Sequence, residues 1–214
     1  MLRSITAGTA LLGALAVSAP AQAQPRFVPD NDKMMVIDVV SANGSGCPSG
    51  TAQIQVSPDY TAFTVTYSTY TALVGPTATP LDFRKNCQLV LNIKVPGGFT
   101  FAIASADYRG YASLRAGAYG QQAANYYFQG QSRTARSEHN FKGPMEDSWQ
   151  NTDKVAITAL NYLPCGERKY LNINTELRVN RGSSNSRKDT SFLSMDSTDA
   201  AINTLYRVVW KKCY

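Results

Sequence analysis

A chain of 214 residues with 21 Lys and Arg against 15 Asp and Glu carries a formal charge of +6. Its basic residues are scattered among acids, which lacks the stripe expected of a nucleic-acid binder. Past residue 23 no apolar run approaches the roughly 20 residues that span a bilayer, and four cysteines without a C-x-x-C spacing argue against zinc.

The N-terminus reads as a secretion signal. Leu2 and Arg3 precede an apolar stretch over residues 5–19, and Ala21-Gln22-Ala23 offers a small-x-small cleavage site before Gln24. Residues 1–23 are therefore expected to be removed, leaving residues 24–214 as one secreted domain. Its cysteines meet an oxidising compartment. Residues 24–120 hold 7 basic and 6 acidic side chains, and residues 121–214 hold 13 and 9. Such scattered excess charge predicts diffuse, salt-screened attraction to anionic polymers.

Period-two patterning dominates the rest. Residues 34–40 and 52–57 are the first strand candidates, and Ser57-Pro58-Asp59 is a hairpin turn leading to Phe63, Val65 and Tyr67, which alternate with threonines and a serine. Cys87, Leu89, Leu91, Ile93 and Val95 alternate with polar residues, broken by Val90, and Pro96-Gly97-Gly98 ends the run. Residues 99–105, 124–128 and 155–160 follow. Leu171, Ile173, Leu177 and Val179 then alternate with Asn172, Asn174, Glu176 and Arg178, and residues 205–213 close the chain. The only candidate helix is a short one over residues 196–205, capped by Ser197 or Asp199. Many short strands with Gly/Pro turns predict an all-β, antiparallel two-sheet sandwich of jelly-roll type.

Cys47, Cys87, Cys165 and Cys213 allow three pairings. Cys47–Cys87 with Cys165–Cys213 is the favoured one, because each bond would tie a loop to a strand. The same positions carry a family resemblance. Gly44-Ser45-Gly46-Cys47-Pro48, Arg84-Lys85-Asn86-Cys87-Gln88-Leu89, Asp107-Tyr108-Arg109-Gly110-Tyr111-Ala112, Tyr126-Tyr127-Phe128-Gln129-Gly130, Pro164-Cys165-Gly166 and Trp210-Lys211-Lys212-Cys213 occur in this order. With them the chain resembles the secreted bacterial and fungal family known as domain of unknown function 4360. The resemblance implies a secreted domain with these four cysteines and supplies no activity, cofactor or catalytic residue.

Chemistry must then be read from the residues. His139 is the only histidine, and no G-x-S-x-G elbow supplies a serine for it. In a strand, Glu138 and His139 would face opposite ways, so His139 reads as a solvated loop residue. Asp107, Glu138, Glu146, Asp147, Glu167 and Glu176 are candidates for a hydrolytic carboxylate pair, with nothing in their spacing to select two. Asp189, Asp196 and Asp199 lack the calcium-loop pattern. Asn43-Gly44-Ser45 is a glycosylation sequon, and Trp149 reads as an exposed loop contact.

The segment from Asp107 to Gly130 gathers six aromatic rings with Arg109 and Arg115 among small residues. Tyrosines in such company can stack on sugar faces, and they can equally be core. The expected ligand surface is Tyr108 and Arg109 with Tyr126 and Tyr127, one of that adjacent pair facing out. No cofactor, metal or catalytic residue is expected. The composition favours a non-enzymatic binder of a surface or cell-wall glycan or another anionic surface polymer. A two-carboxylate hydrolase and a secreted inhibitor or structural interaction protein are the alternatives.

Overall fold

The computed structural model describes residues 36–131, 134–154, 162–195 and 204–214. Twelve strands occur among them: β1 (Val36–Asn43), β2 (Ala52–Val56), β3 (Ala62–Tyr67), β4 (Thr71–Val74), β5 (Arg84–Lys94) and β6 (Phe99–Leu114). They continue with β7 (Tyr119–Phe128), β8 (Ala135–Lys142), β9 (Met145–Lys154), β10 (Leu171–Asn180), β11 (Ser191–Ser194) and β12 (Thr204–Lys212). The signal segment, the strand expected over residues 155–160 and most of the expected short helix lie outside the described residues. Thr204 and Leu205, at the end of that helix candidate, instead open β12.

Two antiparallel sheets form the expected sandwich. One has five strands in the order β1-β5-β10-β7-β8, and the other has seven. In the second, β2-β3-β12-β6-β11-β4 form a path, with β9 paired to β6. Strands β12 and β11 lie end to end along one side of β6, since they pair with Phe99–Tyr108 and Tyr111–Ser113 respectively. Strand β9 takes the other side.

The apolar positions of β3, β5 and β10 point between the sheets, where Phe63, Val65, Leu89, Leu91, Ile173 and Leu177 are buried. Burying each such side chain contributes about 1.5–3 kcal/mol. In β6 the phase changes midway. Phe101 and Ile103 pack on the core at odd positions, and Ala106, Tyr108, Ala112 and Leu114 at even ones. The register shift against β12, between Arg207 and Val208, is a bulge that supplies the extra residue.

Rings fill the centre. Tyr206 stacks on Phe63 at 4.9 Å between centroids and meets Tyr108 and Tyr126 edge-on at 6.2 Å each. Tyr67 and Tyr70 meet edge-on at 5.1 Å, and burial pushes both phenols above the ordinary tyrosine value. Two glycines of the family-like stretches are required by this packing. A Cβ on Gly46 would stand 2.2 Å from the Tyr70 ring, and one on Gly110 would stand 2.0 Å from the Ser194 carbonyl oxygen and 2.3 Å from the Trp149 ring.

Both disulfides match the favoured pairing: Cys47–Cys87 and Cys165–Cys213, closing 40 and 48 residues. Their surroundings differ. Cys47 and Cys87 are buried in the core, whereas Cys165 is exposed and Cys213 half-buried. A mild thiol reductant should therefore open Cys165–Cys213 first and leave Cys47–Cys87 intact in the folded protein, because exchange needs access to a sulfur. Timed alkylation with peptide mapping checks this, and equal labelling rates at the two pairs would contradict it. Losing the outer bond should cost up to roughly 4 kcal/mol in the chain-entropy account.

Candidate functional site

The four residues expected to form one ligand surface are not brought together. Tyr108 is 0% exposed and Tyr126 only 7%. The expectation of an exposed Tyr108 is thereby corrected, because an even position of β6 after the bulge faces the core. Tyr126 and Tyr127 do alternate, with Tyr126 inward and Tyr127 half-buried on the outer side of β7. Arg109 is exposed, but it lies on β6 in the seven-stranded sheet. Arg109 and Tyr127 thus occupy opposite faces of the sandwich.

Two other corrections concern β8 and β9. His139 is not a loop residue. It lies on β8, whose alternating burial turns Ser137, His139 and Phe141 inward and Glu138 outward. Trp149 is buried on β9 and packs against Phe141 at 5.1 Å between centroids. These two edge strands close one side of the sandwich, and Asp153 of β9 is the hub of that closure. His139 Nε2 donates to Asp153 Oδ1 at 2.6 Å, while the Tyr126 hydroxyl (3.2 Å) and the Ser137 hydroxyl donate to Oδ2. All donors converge on the carboxylate. Ser137 therefore bonds to Asp153 and not to His139, and the Ser-to-His relay of a nucleophilic triad is not formed.

The outer face of the five-stranded sheet has a different character. Register aligns Asn43 of β1, Gln88 of β5, Asn174 of β10 and Asn125 of β7 in one row across four adjacent strands. At about 4.8 Å per strand the row runs roughly 14 Å. Asn43, Gln88 and Asn174 make no side-chain hydrogen bond among the described residues, and Asn125 accepts one from Arg136 at 3.1 Å. Tyr127 follows Asn125 two residues along the same face. At the other end of β7, Tyr119 is 50% exposed. Beside it a pocket of about 380 Å³ is lined by Ala118, Gly120 and Phe141, with Asn140 and Lys142.

Charged residues occupy the middle of this face. Glu176 and Glu138 lie in one row on either side of Ala123. The row puts their backbones about 10 Å apart. Of the six candidate carboxylates, these are the two the fold sets together on one face. Both are held by arginines: Arg84 and Arg178 bind Glu176, and Arg136 binds Glu138. Partial burial alone would raise the Glu176 carboxyl, but hydrogen bonds and charge from Arg178 and Arg84 hold it below its ordinary value.

The other carboxylates with lowered values follow the same logic. Asp107 is partly desolvated, yet Thr152 and Arg207 outweigh that cost. Lys85 and Thr79 bring Asp82 down to about 2, and Ser57 and Thr61 lower Asp59. A carboxylate whose folded value is depressed stabilises the fold above its unfolded value and loses that contribution as pH falls. Melting temperature should therefore hold from neutrality to about pH 5 and drop as the pH falls through the carboxylate range, with the Asp82 contribution persisting to about pH 2. A thermal melt series at constant ionic strength checks this. A flat profile down to about pH 3 would contradict it.

Sequence reasoning missed the amide row. Its signal was present as amides at outward positions of alternating runs, Gln88 and Asn92 in one and Asn172 and Asn174 in another. Only register shows that they form a line.

Comparison with known proteins agrees with this architecture. An "Uncharacterized secreted protein" of the fungus Arthroderma benhamiae is 37% identical over 185 residues, which is 86% of this chain and 74% of that protein. Together with the two disulfides, this relationship makes the chain a secreted protein. The profile of the family described as domain of unknown function matches residues 33–213. That match covers all twelve strands and all four cysteines, and the chain belongs to this family, domain of unknown function 4360.

Proposed function

We propose that this protein is a non-enzymatic carbohydrate-binding protein whose ligand surface is the outer face of the five-stranded sheet. The observation that carries the reading is the uncharged row Asn43–Gln88–Asn174–Asn125, with Tyr127 beside it. Amides both donate and accept, which suits the hydroxyls of a neutral glycan. An adjacent tyrosine ring offers a flat apolar surface to the face of a sugar. The pocket beside Tyr119 supports the same reading, being an apolar hollow with a few polar groups.

The hydrolase alternative would use Glu138 and Glu176, whose spacing falls near that of an inverting glycosidase. Such an enzyme needs one carboxyl protonated at working pH, with its value raised. The arginines do the opposite to Glu176. That favours binding over catalysis.

The test is retention of the mature protein on insoluble cellulose, chitin and β-glucan, alongside a glycan array and an assay for released reducing ends. A Gln88→Ala/Asn174→Ala double variant should bind roughly tenfold more weakly, since each hydrogen bond contributes about 0.5–1.5 kcal/mol. Its melting temperature should be unchanged. Wild-type protein that binds no glycan would sink the reading, as would sugar release. Binding that the double variant leaves intact would move the site off this face.

A further inference from the structure

We propose a second binding site, for a carboxylate or sulfate group of an acidic polysaccharide, on the outer face of the seven-stranded sheet. It is independent of the amide row, which lies on the opposite face. Register places Lys154 of β9, Ser105 of β6 and Arg207 of β12 side by side in one row. The next row holds Thr152 and Asp107, and the next holds Gln150 and Arg109. With strands about 4.8 Å apart and same-face neighbours about 6.8 Å apart, three cations flank Ser105 and Asp107 in a patch about 10 Å wide and about 14 Å long.

The patch is built rather than scattered. Asp107 is nearly buried and accepts from Thr152 Oγ1 at 2.7 Å and from Arg207 Nη1. That bond fixes the guanidinium while 51% of the Arg207 side chain remains exposed, so its other N–H groups stay open to solvent. A held arginine loses less freedom when it binds an anion in forked geometry. Lys154 and Arg109 are exposed and make no ion pair among the described residues. Asp107, the one carboxylate in these rows, is itself committed to Arg207. The Ser105 hydroxyl, between Lys154 and Arg207, supplies a neutral donor.

The linear sequence implied diffuse attraction because these cations stand at positions 109, 154 and 207 among acids. Folding brings them onto three adjacent strands. A site of this kind should depend on particular side chains and not merely on net charge.

The experiment measures affinity of the mature protein for polygalacturonate, for dextran sulfate and for anionic phosphatidylglycerol vesicles. Salt is held at about 50 mM, where exposed charges are only partly screened. A Lys154→Gln/Arg109→Gln variant should bind the carboxylate or the sulfate polymer roughly tenfold more weakly. A charge-matched Arg187→Gln/Lys188→Gln control, at exposed positions outside both surfaces, should change affinity less than about twofold. Whichever polymer shows this contrast identifies the anionic group. Equal losses in the two variants would show diffuse attraction, and binding to vesicles alone would point to a membrane surface. Either result, or no binding to either polymer, overturns the proposal.

Discussion

Replacing Asp153 by alanine should cost about 3–5 kcal/mol of folding stability, as expected when one partner of a buried charged network is removed. The side chain is only 8% exposed and takes hydrogen bonds from β7 and β8, so it joins the two sheets at their β8/β9 side. Its removal leaves the buried Tyr126 hydroxyl without that acceptor, at a cost of about 1–3 kcal/mol for an orphaned group. The Ser137 hydroxyl adds to this. His139 adds less, because 27% of its side chain reaches solvent and water can replace the carboxylate there. Asp153→Asn keeps the shape and one acceptor, and should lose about half as much. Urea unfolding of the two variants measures both values. A loss under about 1 kcal/mol for the alanine variant would mean that apolar contacts such as Phe141 against Trp149 hold this side without help from the polar hub.

Tyr108→Ala should be comparably damaging, at about 3–5 kcal/mol for deleting a buried aromatic side chain. The ring is fully enclosed and meets Tyr206 edge-on, so truncation leaves a void at the centre of the aromatic cluster. Tyr108→Phe separates ring from hydroxyl. That hydroxyl has no hydrogen-bond partner among the described residues, so the phenylalanine variant should stay within about 1 kcal/mol of wild type. Denaturant midpoints decide the matter. An alanine variant with an unchanged midpoint would restore the surface role expected from its neighbours in sequence.

That reversal illustrates what the sequence could reveal. Runs such as Phe63–Val65–Tyr67 and Leu171–Ile173 alternate cleanly because one face is apolar and the other wet, and they are strands as expected. The cysteine pairing was legible from the expectation that each bond ties a loop to a strand; Cys87 does lie on β5, and Cys213 follows directly after the end of β12. The second half of β6 was not, since the bulge changes which parity faces inward. Strands β8 and β9 escaped for a different reason: they turn Ser137, His139, Asn151 and Asp153 toward the interior, so the apolar-polar rhythm never forms. Local rules fail there because the side chains satisfy one another across the sheets. The candidate surfaces were the least legible part. Aromatic density marked the core, while the amide row and the cationic patch exist only through register between strands far apart in the chain.

The position of β12 has a consequence for how the molecule is made. The last of the described strands is not an edge but is inserted between β3 and β6, running from Thr204 opposite Tyr108 to Lys212 opposite Phe99. Until it emerges, β3 and β6 have no neighbour between them, and Tyr206 is missing from the aromatic cluster. The larger sheet therefore cannot be completed until β12 joins it, and pairings over such sequence distances form slowly. Deleting β12 would therefore split the larger sheet into two separate pieces, β2-β3 and β9-β6-β11-β4, instead of trimming a strand from its rim.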